Sequence, residues 1–201
     1  SGVFFSNNYG LNWAKKNNGL ASLKINSLTF KDSIIAAGSN NAGIFISADS
    51  GANWSAANNG LPDTCIQSLA SYNTGIYAGT KNYGIYKSID NGINWIHLNT
   101  GAPDTNVMCL YTCGVNVFAG IRGRGFLMSP DNGVNWSAYN NGLFNYNFSA
   151  ITENGTDIFV GCSGYYSNGG GVWRKSISEL PLTLSVKSTA VSHRIICEGN
   201  S

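Results

Sequence analysis

The sequence predicts an all-β protein and, within that class, a β-propeller built from four-stranded antiparallel blades. The first observation is a sequence repeat of 41 residues, which separates Trp13, Trp54, Trp95 and Trp136. A period of this length is typical of stacked supersecondary units. The second is that each repeat contains several short strand-like runs separated by Gly and Asn turn signals. The third is composition: 43% of the residues are hydrophobic, only 11% are charged and 25 are glycines, which suits compact sheets joined by tight turns.

The repeat that covers residues 66–98 illustrates the predicted blade. Its strand-like runs are 66–72, 75–79, 84–88 and 94–98, and four antiparallel strands in 41 residues match one propeller blade. A β-solenoid is the closest rival, but its coils usually need far fewer residues per turn, and this repeat contains too many Gly and Asn reversals. Strong helical periodicity is absent from the sequence. We therefore expect about four to five blades in this chain.

The phase of the repeat divides the chain into segments. Residues 2–17 match only the third and fourth strands of a blade, and residues 147–176 match the first three strands of the last one. Either the C-terminal strands complete the N-terminal half-blade and close a small ring, or the chain is a fragment of a larger ring, which we favour. The predicted domains are propeller repeats over 1–180, a linker over 181–190, and the start of a following module or a tail over 191–201.

One twelve-residue phrase recurs at 43–54, 84–95 and 125–136, and more loosely at 2–13. Its core, Ser-x-Asp-x-Gly-x-Asn-Trp, resembles the Asp-box, or bacterial neuraminidase repeat, of sialidases, sortilin-type propellers, xyloglucan-degrading enzymes and photosystem assembly factors. The resemblance implies that the phrase is a structural hairpin between the third and fourth strands of a blade, away from the ligand face. The residues given this structural role are Asn8, Trp13, Asp49, Gly51, Trp54, Asp90, Gly92, Trp95, Asp131, Gly133 and Trp136.

Physical chemistry supports a structural role for this phrase. The Asp side chains can accept hydrogen bonds from turn amides, the glycines can adopt positive φ, and the Trp rings can be buried against the adjacent sheet. In the first copy Asn8 replaces the Asp and still offers a capping oxygen. The phrase is thus predicted to be a joint and not a reactive site.

The acidic residues argue against an enzyme. A glycosidase usually needs a pair of carboxylates across a cleft, and this chain has only ten acidic residues, most of them in the repeated hairpins and turns. A sialidase-like site would also need three arginines that clamp a carboxylate, whereas two of the four here, Arg122 and Arg124, share one loop. We predict that the chain is not an enzyme.

Other classes of site find little support. The two histidines and five cysteines do not recur at ligand spacing, so we predict no metal and no cofactor. The odd number of cysteines favours buried free thiols, and one bridge near Cys197 is left open. The net charge is +2 and no basic run is longer than Lys15-Lys16, which predicts no nucleic-acid partner. No uninterrupted apolar stretch approaches eighteen residues, so no membrane span is predicted in this segment.

Two short runs point to the cell surface. Residues 169–180 resemble the closing blade of propellers exported in Bacteroidota, often by type IX secretion, and the end, Ile-Cys-Glu-Gly-Asn-Ser, resembles the opening strand of immunoglobulin-like modules in large surface proteins of that phylum. The resemblance implies a secreted or cell-surface location.

The segment after the repeated Gly of the second strand varies most between repeats, and such positions are where a scaffold can place functional side chains. Tyr, Arg, Asn and Lys in these loops would suit sugar stacking or protein contacts, although ordinary drift of polar loops explains the variation as well. The candidate ligand-binding residues are Lys81, Asn82, Tyr83, Arg122, Arg124, Tyr165 and Tyr166.

These observations favour a non-catalytic binding or scaffolding module of a large, adhesin-like secreted or cell-surface protein. Its expected partners are a protein or glycan ligand at the cell surface and other domains or chains of a larger assembly. The alternative is part of a carbohydrate-active enzyme, sialidase-like or xyloglucanase-like, whose catalytic residues lie outside this segment.

Overall fold

The computed structural model describes residues 1–98, 105–140, 142–143, 147–163 and 170–180. Their strands form five antiparallel sheets, each made of strands that are consecutive in sequence. Blade 1 contains β1 (Phe4–Phe5) and β2 (Ala14–Lys15); blade 2, β3 (Ile25–Lys31), β4 (Ile34–Ser39), β5 (Ile44–Ser47) and β6 (Ser55–Ala56); blade 3, β7 (Ile66–Tyr72), β8 (Gly75–Thr80), β9 (Ile85–Ser88) and β10 (Ile96–Leu98); blade 4, β11 (Val107–Cys113), β12 (Asn116–Ile121), β13 (Gly125–Ser129) and β14 (Ser137–Ala138); blade 5, β15 (Phe148–Glu153), β16 (Asp157–Cys162) and β17 (Gly171–Ser176).

The predicted blade is confirmed, with four antiparallel strands in each of blades 2, 3 and 4. The predicted two strands of blade 1 and three strands of blade 5 are also present. In blade 3 the fourth strand begins at Ile96 and not at Asn94, because the backbone N–H of Asn94 is bound by the hairpin before it. Residues 181–201, for which we predicted a linker and a following module, lie outside the described residues.

Successive blades pack against each other through their first strands, which contact in the order β3, β7, β11 and β15. Side chains also connect the blades, since the Leu69 N–H donates to the Ser27 hydroxyl at 2.9 Å and the Thr112 hydroxyl donates to the Ser71 carbonyl at 2.8 Å. Buried apolar clusters fill the layers between blades. The core is therefore a series of interblade layers, as expected for a repeat protein.

The described residues form no closed ring. Strands β1 and β2 make a sheet of their own, separate from β15–β17. The interpretation in which the C-terminal strands complete the N-terminal half-blade is therefore not what the structure shows. Within the described residues the only helical element is a 3-10 turn at Ile177–Glu179, and none of their helices is long and apolar enough to cross a membrane.

The recurring phrase forms the hairpin between the third and fourth strands. In blade 2, Asp49 Oδ1 accepts hydrogen bonds from the Asn53 N–H and the Ser47 hydroxyl, both at 2.8 Å. The Asn53 side-chain amide donates to Asp49 Oδ2 at 2.7 Å. The same three bonds form around Asp90 in blade 3 and Asp131 in blade 4. Each carboxylate thus satisfies the polar groups of one turn.

The turn itself requires two consecutive residues with positive φ. In blade 3 these are Asn91 (φ 59°) and Gly92 (φ 93°), and in blade 2 the first of them is Ser50 (φ 58°). Two such residues define a type I′ turn, which matches the twist of a β-hairpin and favours Asn-Gly. From the sequence a positive φ was expected for the glycine alone. The Asn-Gly dipeptides of blades 3 and 4 are the signal that predicts a positive φ for both residues.

The tryptophans link neighbouring blades. The rings of Trp54 and Trp95 are buried, and their indole N–H groups donate to backbone carbonyls of the preceding blade, those of Lys16 and Ala57, both at 2.9 Å. The ring of Trp136 is also buried, but its N–H bonds within its own hairpin. Two of the four repeats therefore fasten the hairpin of one blade to the outer strand of the blade before it.

Trp13 departs from the expected burial. Its side chain is 63% exposed, and its indole N–H donates to Gly10 O of the same hairpin at 3.0 Å. Among the described residues no other sheet packs over this ring, as blades 1 and 2 do over Trp54 and Trp95. The expectation that every repeated Trp buries its ring was wrong at this position.

A second joint is formed by an Asn-Asn-Gly element, which recurs in the sequence at 17–19, 58–60 and 140–142. Asn58 Oδ1 accepts from the Ile44 N–H at 2.7 Å, which closes its own blade. Asn59 reaches the next blade, where its carbonyl accepts from the Trp95 N–H at 2.9 Å and its side-chain amide donates to Asn94 Oδ1 at 2.5 Å. The element therefore connects the outer strand of one blade to the hairpin of the next.

The hairpin carboxylates predict an acid-sensitive fold. Hydrogen bonds from the backbone and side chain of the Asn four residues later, and from the Ser two residues before, lower the pKa of Asp49 and of Asp90 from 3.8 to about 2. A lowered pKa stabilises the fold above the unfolded value, and this stabilisation is lost as the pH falls from about 4 through 2. We expect the free energy of unfolding, measured by urea denaturation, to decrease over this range.

A variant separates this effect from general acid unfolding. In the double variant Asp49→Asn, Asp90→Asn the amide oxygen keeps the acceptor, as Asn8 does for the Asn12 N–H at 3.0 Å in blade 1, but nothing titrates. Its unfolding free energy should change less between pH 4 and 2 than that of the unaltered chain. Equal pH dependence in the two proteins would show that these carboxylates do not contribute.

Candidate ligand-binding surface

The two ends of each blade present different loops. Because neighbouring strands are antiparallel, the segments between second and third strands lie at the same end as the connections from one blade to the next. We call this the loop end; it contains segments 40–43, 81–84 and 122–124 and the described parts of the interblade connections that precede β3, β7 and β11. The repeated hairpins and the turns between first and second strands lie at the opposite end, the hairpin end.

Backbone hydrogen bonds join the two kinds of segment at the loop end. The Asn40 N–H donates to Lys24 O at 2.9 Å, the Lys81 N–H to Cys65 O at 3.0 Å, and the Arg122 N–H to Asn106 O at 2.9 Å. These bonds recur at the period of the repeat. They hold each variable loop against the connection that starts its blade, so the side chains of the loops project from a fixed frame.

The predicted ligand residues in the described chain are gathered at this end, on two adjacent blades. Lys81, Asn82 and Tyr83 follow β8, and Arg122 and Arg124 follow β12; all five side chains are exposed, Tyr83 to 46%. The other two candidates, Tyr165 and Tyr166, lie outside the described residues. The predicted surface thus comprises one exposed ring and three cations over two blades.

A buried hydroxyl shapes the loop of blade 3. Thr80, which is fully buried, accepts from the Tyr83 N–H and donates to Gly84 O, both at 2.9 Å. Ser39 forms the same pair of bonds in blade 2. Blade 4 has Ile121 at this position and a shorter loop, closed by a bond from the Arg124 N–H to Ile121 O at 3.1 Å. Sequence analysis missed these hydroxyls, although a Ser or Thr just before the loop in two repeats was visible.

Asp63 is the one carboxylate at the loop end within the described residues, and it is engaged in local structure. Its Oδ1 accepts from the Cys65 N–H at 2.9 Å. Its Oδ2 accepts from the backbone N–H of Asn82 at 3.1 Å and from the side-chain amide of Asn82 at 3.3 Å. Asn82, a predicted ligand residue, therefore also anchors its loop to the interblade connection.

A cavity of about 360 Å³ lies between blades 4 and 5, lined in part by Phe126, Leu143, Val160 and Trp173. In the repeat these correspond to the residues that surround Trp54 in blade 2, among them Val3 and Ala37. Blade 5 has Ile177–Glu179 where the other blades have their hairpin. The cavity thus occupies the place of a hairpin Trp, and we do not assign a ligand to it.

The described cysteines and possible metal ligands add no reactive centre to this surface. Cys65, Cys109 and Cys162 are free thiols, and burial raises the pKa of Cys109 to about 12, which makes it a poor nucleophile. Cys113 is disulfide-bonded, so the prediction of free thiols holds for the other three described cysteines and is wrong for this one. Within the described ranges no three His, Cys, Asp or Glu side chains are grouped so that they could hold a metal ion.

Similar structures support the fold. The GH74 xyloglucanase from Xanthomonas campestris superposes with a TM-score of 0.67 at 12% identity, over 92% of this chain and 36% of that one. The extracellular domain of a hybrid two component system from B. thetaiotaomicron superposes with a TM-score of 0.61 at 13% identity, over 82% of this chain and 26% of that one. PorZ, a bacterial surface component of the type-IX secretion system of Porphyromonas gingivalis, superposes with a TM-score of 0.59 at 16% identity, over 77% of this chain and 25% of that one.

At these identities the likeness concerns the fold, and the chain spans between a quarter and about a third of the length of these three structures. Two of them are an extracellular domain and a surface component, so the predicted resemblance to propellers of surface proteins is confirmed at the level of the fold. None of the curated proteins matches the chain. The family model described as the DUF6242 beta propeller domain matches residues 9–175, most of the chain, and the protein therefore belongs to the DUF6242 beta propeller domain family.

Proposed function

We propose that this chain is a non-catalytic binding module of a secreted or cell-surface multidomain protein and that it contacts its ligand through the loop end. The observation that supports this best is that the polar side chains at the two ends of the blades have different roles. At the hairpin end the repeated polar side chains are engaged in turns and interblade joints. At the loop end Lys81, Tyr83, Arg122 and Arg124 are exposed, and none of their side chains has a role in holding the described blades together.

The proposal that the module is not catalytic rests on the carboxylates. Retaining and inverting glycosidases place two carboxyl groups roughly 5–10 Å apart across the bond that they cleave. At the loop end of the described residues Asp63 stands alone, and both of its oxygens accept hydrogen bonds from the local backbone or from Asn82. A carboxylate used in this way is poorly placed to act as a general acid or nucleophile.

The location of the module is proposed from its relatives in fold. An extracellular domain and a surface component are among the similar structures, and residues 169–180 and 196–201 resemble segments of exported proteins. An adhesin-like role, with a glycan or protein at the cell surface as ligand and other domains of an assembly as neighbours, is consistent with an exposed polar surface on a rigid stack of blades.

Incubation of the chain with a polysaccharide panel tests the proposal. Xyloglucan, polygalacturonate and dextran would each be assayed both for binding, by affinity electrophoresis, and for newly released reducing ends. We expect retention by at least one polysaccharide and no release above the blank. Release of reducing ends would favour the alternative, a carbohydrate-active enzyme, and the absence of both binding and release across the panel would count against a carbohydrate-binding module.

A further inference from the structure

Charged side chains are divided unequally between the two ends of the blades. The hairpin end holds every carboxylate of the described residues except Asp63: those of Asp32, Asp49, Asp90, Asp131, Glu153, Asp157 and Glu179. Three of these carboxylates are paired: Asp32 with Lys31 at 2.7 Å, Asp157 with Arg174 at 3.7 Å and Glu179 with Lys175 at 3.3 Å. The other four, Asp49, Asp90, Asp131 and Glu153, form no ion pair within the described residues, and they leave the hairpin end with an excess of negative charge.

The loop end has the opposite character. Lys24, Lys81, Arg122 and Arg124 lie there on three successive blades, and all four side chains are exposed. Within the described part of the chain none of the four takes part in an ion pair. Unpaired cations spaced along one face attract a partner that has several negative charges, and guanidinium groups in particular can bind carboxylates or sulfates through two parallel hydrogen bonds.

The remaining groups at the loop end favour a carbohydrate over a protein. The core of a protein interface is usually apolar, but among the described residues in the loops and connections of blades 2–4, only Leu23 and Tyr83 are large hydrophobic side chains that are well exposed. The exposed amides of Asn40 and Asn41 are suited to hydroxyl groups, and the flat ring of Tyr83 offers an apolar face with a polar edge. A polymer of sugars with acidic groups matches all three features.

We propose that the loop end of blades 2–4 binds an acidic polysaccharide, whose anionic groups pair with Lys24, Lys81, Arg122 and Arg124 and whose sugar rings stack on Tyr83. This inference rests on the proposed function and specifies the ligand of that surface. Anionic groups at regular intervals along the polymer would engage cations on successive blades together, so that several weak contacts add to one measurable affinity.

The test compares two double variants with the same change in charge. Arg122→Gln with Arg124→Gln removes two cations from the loop end, and Arg174→Gln with Lys175→Gln removes two from the hairpin end. Binding would be measured by affinity electrophoresis in polygalacturonate, dextran sulfate and neutral dextran. We expect the first variant to lose affinity for the anionic polymers on the order of tenfold and the second to change less than about twofold.

The arms of the experiment separate the sources of negative charge. Retention by polygalacturonate alone would show that the surface binds carboxylate groups. Retention by both anionic polymers would show that it binds carboxylate and sulfate groups. Equal binding of dextran, or equal losses in the two double variants, would overturn the inference, while retention by dextran would still support a binding module. If neither the unaltered chain nor the variants bind any of the polysaccharides, the result would count against both proposals.

Two further measurements test the carbohydrate assignment. Tyr83→Ala should weaken polygalacturonate binding without altering the slope of log affinity against log salt concentration, because stacking does not release counterions. An unchanged affinity would overturn the assigned role of the ring. Single-stranded DNA and an acidic protein of similar charge would be assayed at physiological salt. If either binds more tightly than polygalacturonate, the surface is a general polyanion-binding surface and the polysaccharide assignment is wrong.

Discussion

Replacing Trp95 with alanine is expected to give the largest loss of stability in this fold. The ring is only 5% exposed, it packs in the layer between blades 2 and 3 with Ile44 and Tyr86, and its indole N–H donates to Ala57 O. Truncation of a buried Trp typically costs about 3–5 kcal/mol. Urea denaturation followed by circular dichroism would measure the change in the free energy of unfolding.

Trp13→Ala is the matched control for this prediction. Trp13 occupies the same position of the repeat, but it is 63% exposed and bonds only within its own hairpin. Its truncation should therefore cost no more than about 0.5–1 kcal/mol, as for other surface changes. Similar losses in the two variants would mean that the repeated Trp stabilises its own hairpin and is not a joint between blades.

Gly60→Ala should have the second-largest effect. Gly60 has φ +89°, and a Cβ placed there would overlap the carbonyl oxygen of Trp95 in the next blade. A positive φ costs an alanine about 1–2 kcal/mol, and forcing atoms into a packed site adds about 1–3 kcal/mol. We expect a total of about 2–5 kcal/mol in the free energy of unfolding, since neither backbone can move without opening the interblade joint.

Gly142→Ala separates the two costs. Gly142 has φ +82° at the same position of the repeat, but within the described residues no atom lies within 4 Å of the added Cβ. This variant should show the cost of the positive φ alone, about 1–2 kcal/mol. If both alanine variants lose the same stability, the contact between Gly60 and the next blade contributes nothing.

The sequence was sufficient to predict the fold because the fold is repeated. Trp at a fixed 41-residue period and Gly-rich turns predicted four-stranded blades, and the strands of blades 2–4 follow that pattern. The Asp in each hairpin also bonds as its chemistry predicts, because turn amides lie within four residues of it in sequence. Local interactions of this kind depend on the order of residues alone.

Contacts between blades were harder to predict. Asn59 and Asn94 are 35 residues apart, and their bond depends on how the outer strand of one blade meets the hairpin of the next, which periodicity does not specify. The exposure of Trp13 depends likewise on whether a neighbouring sheet is present. The first strands of blades 2–5 each contain a register shift of one residue at the same repeat position. This β-bulge could not be predicted, because no turn residue marks it in the sequence.

The candidate surface was predicted in part. The variable loops were recognised from the repeat, and the structure has Lys81, Tyr83, Arg122 and Arg124 exposed at one end; that they bind a ligand stays a prediction. The separation of charge between the two ends was not foreseen, because a net charge of +2 conceals an acidic end and a basic end. Only the direction of each strand reveals to which end a charged residue belongs.

Hydrogen exchange with bound polygalacturonate shows which end of the blades the ligand covers. We expect the ligand to slow amide exchange in segments 81–84 and 122–124 and to leave exchange in the hairpins at 47–54, 88–95 and 129–136 unchanged. Protection of the hairpins without protection of the loops would contradict the assignment of the loop end as the ligand-binding surface and would place the ligand at the opposite, acidic end.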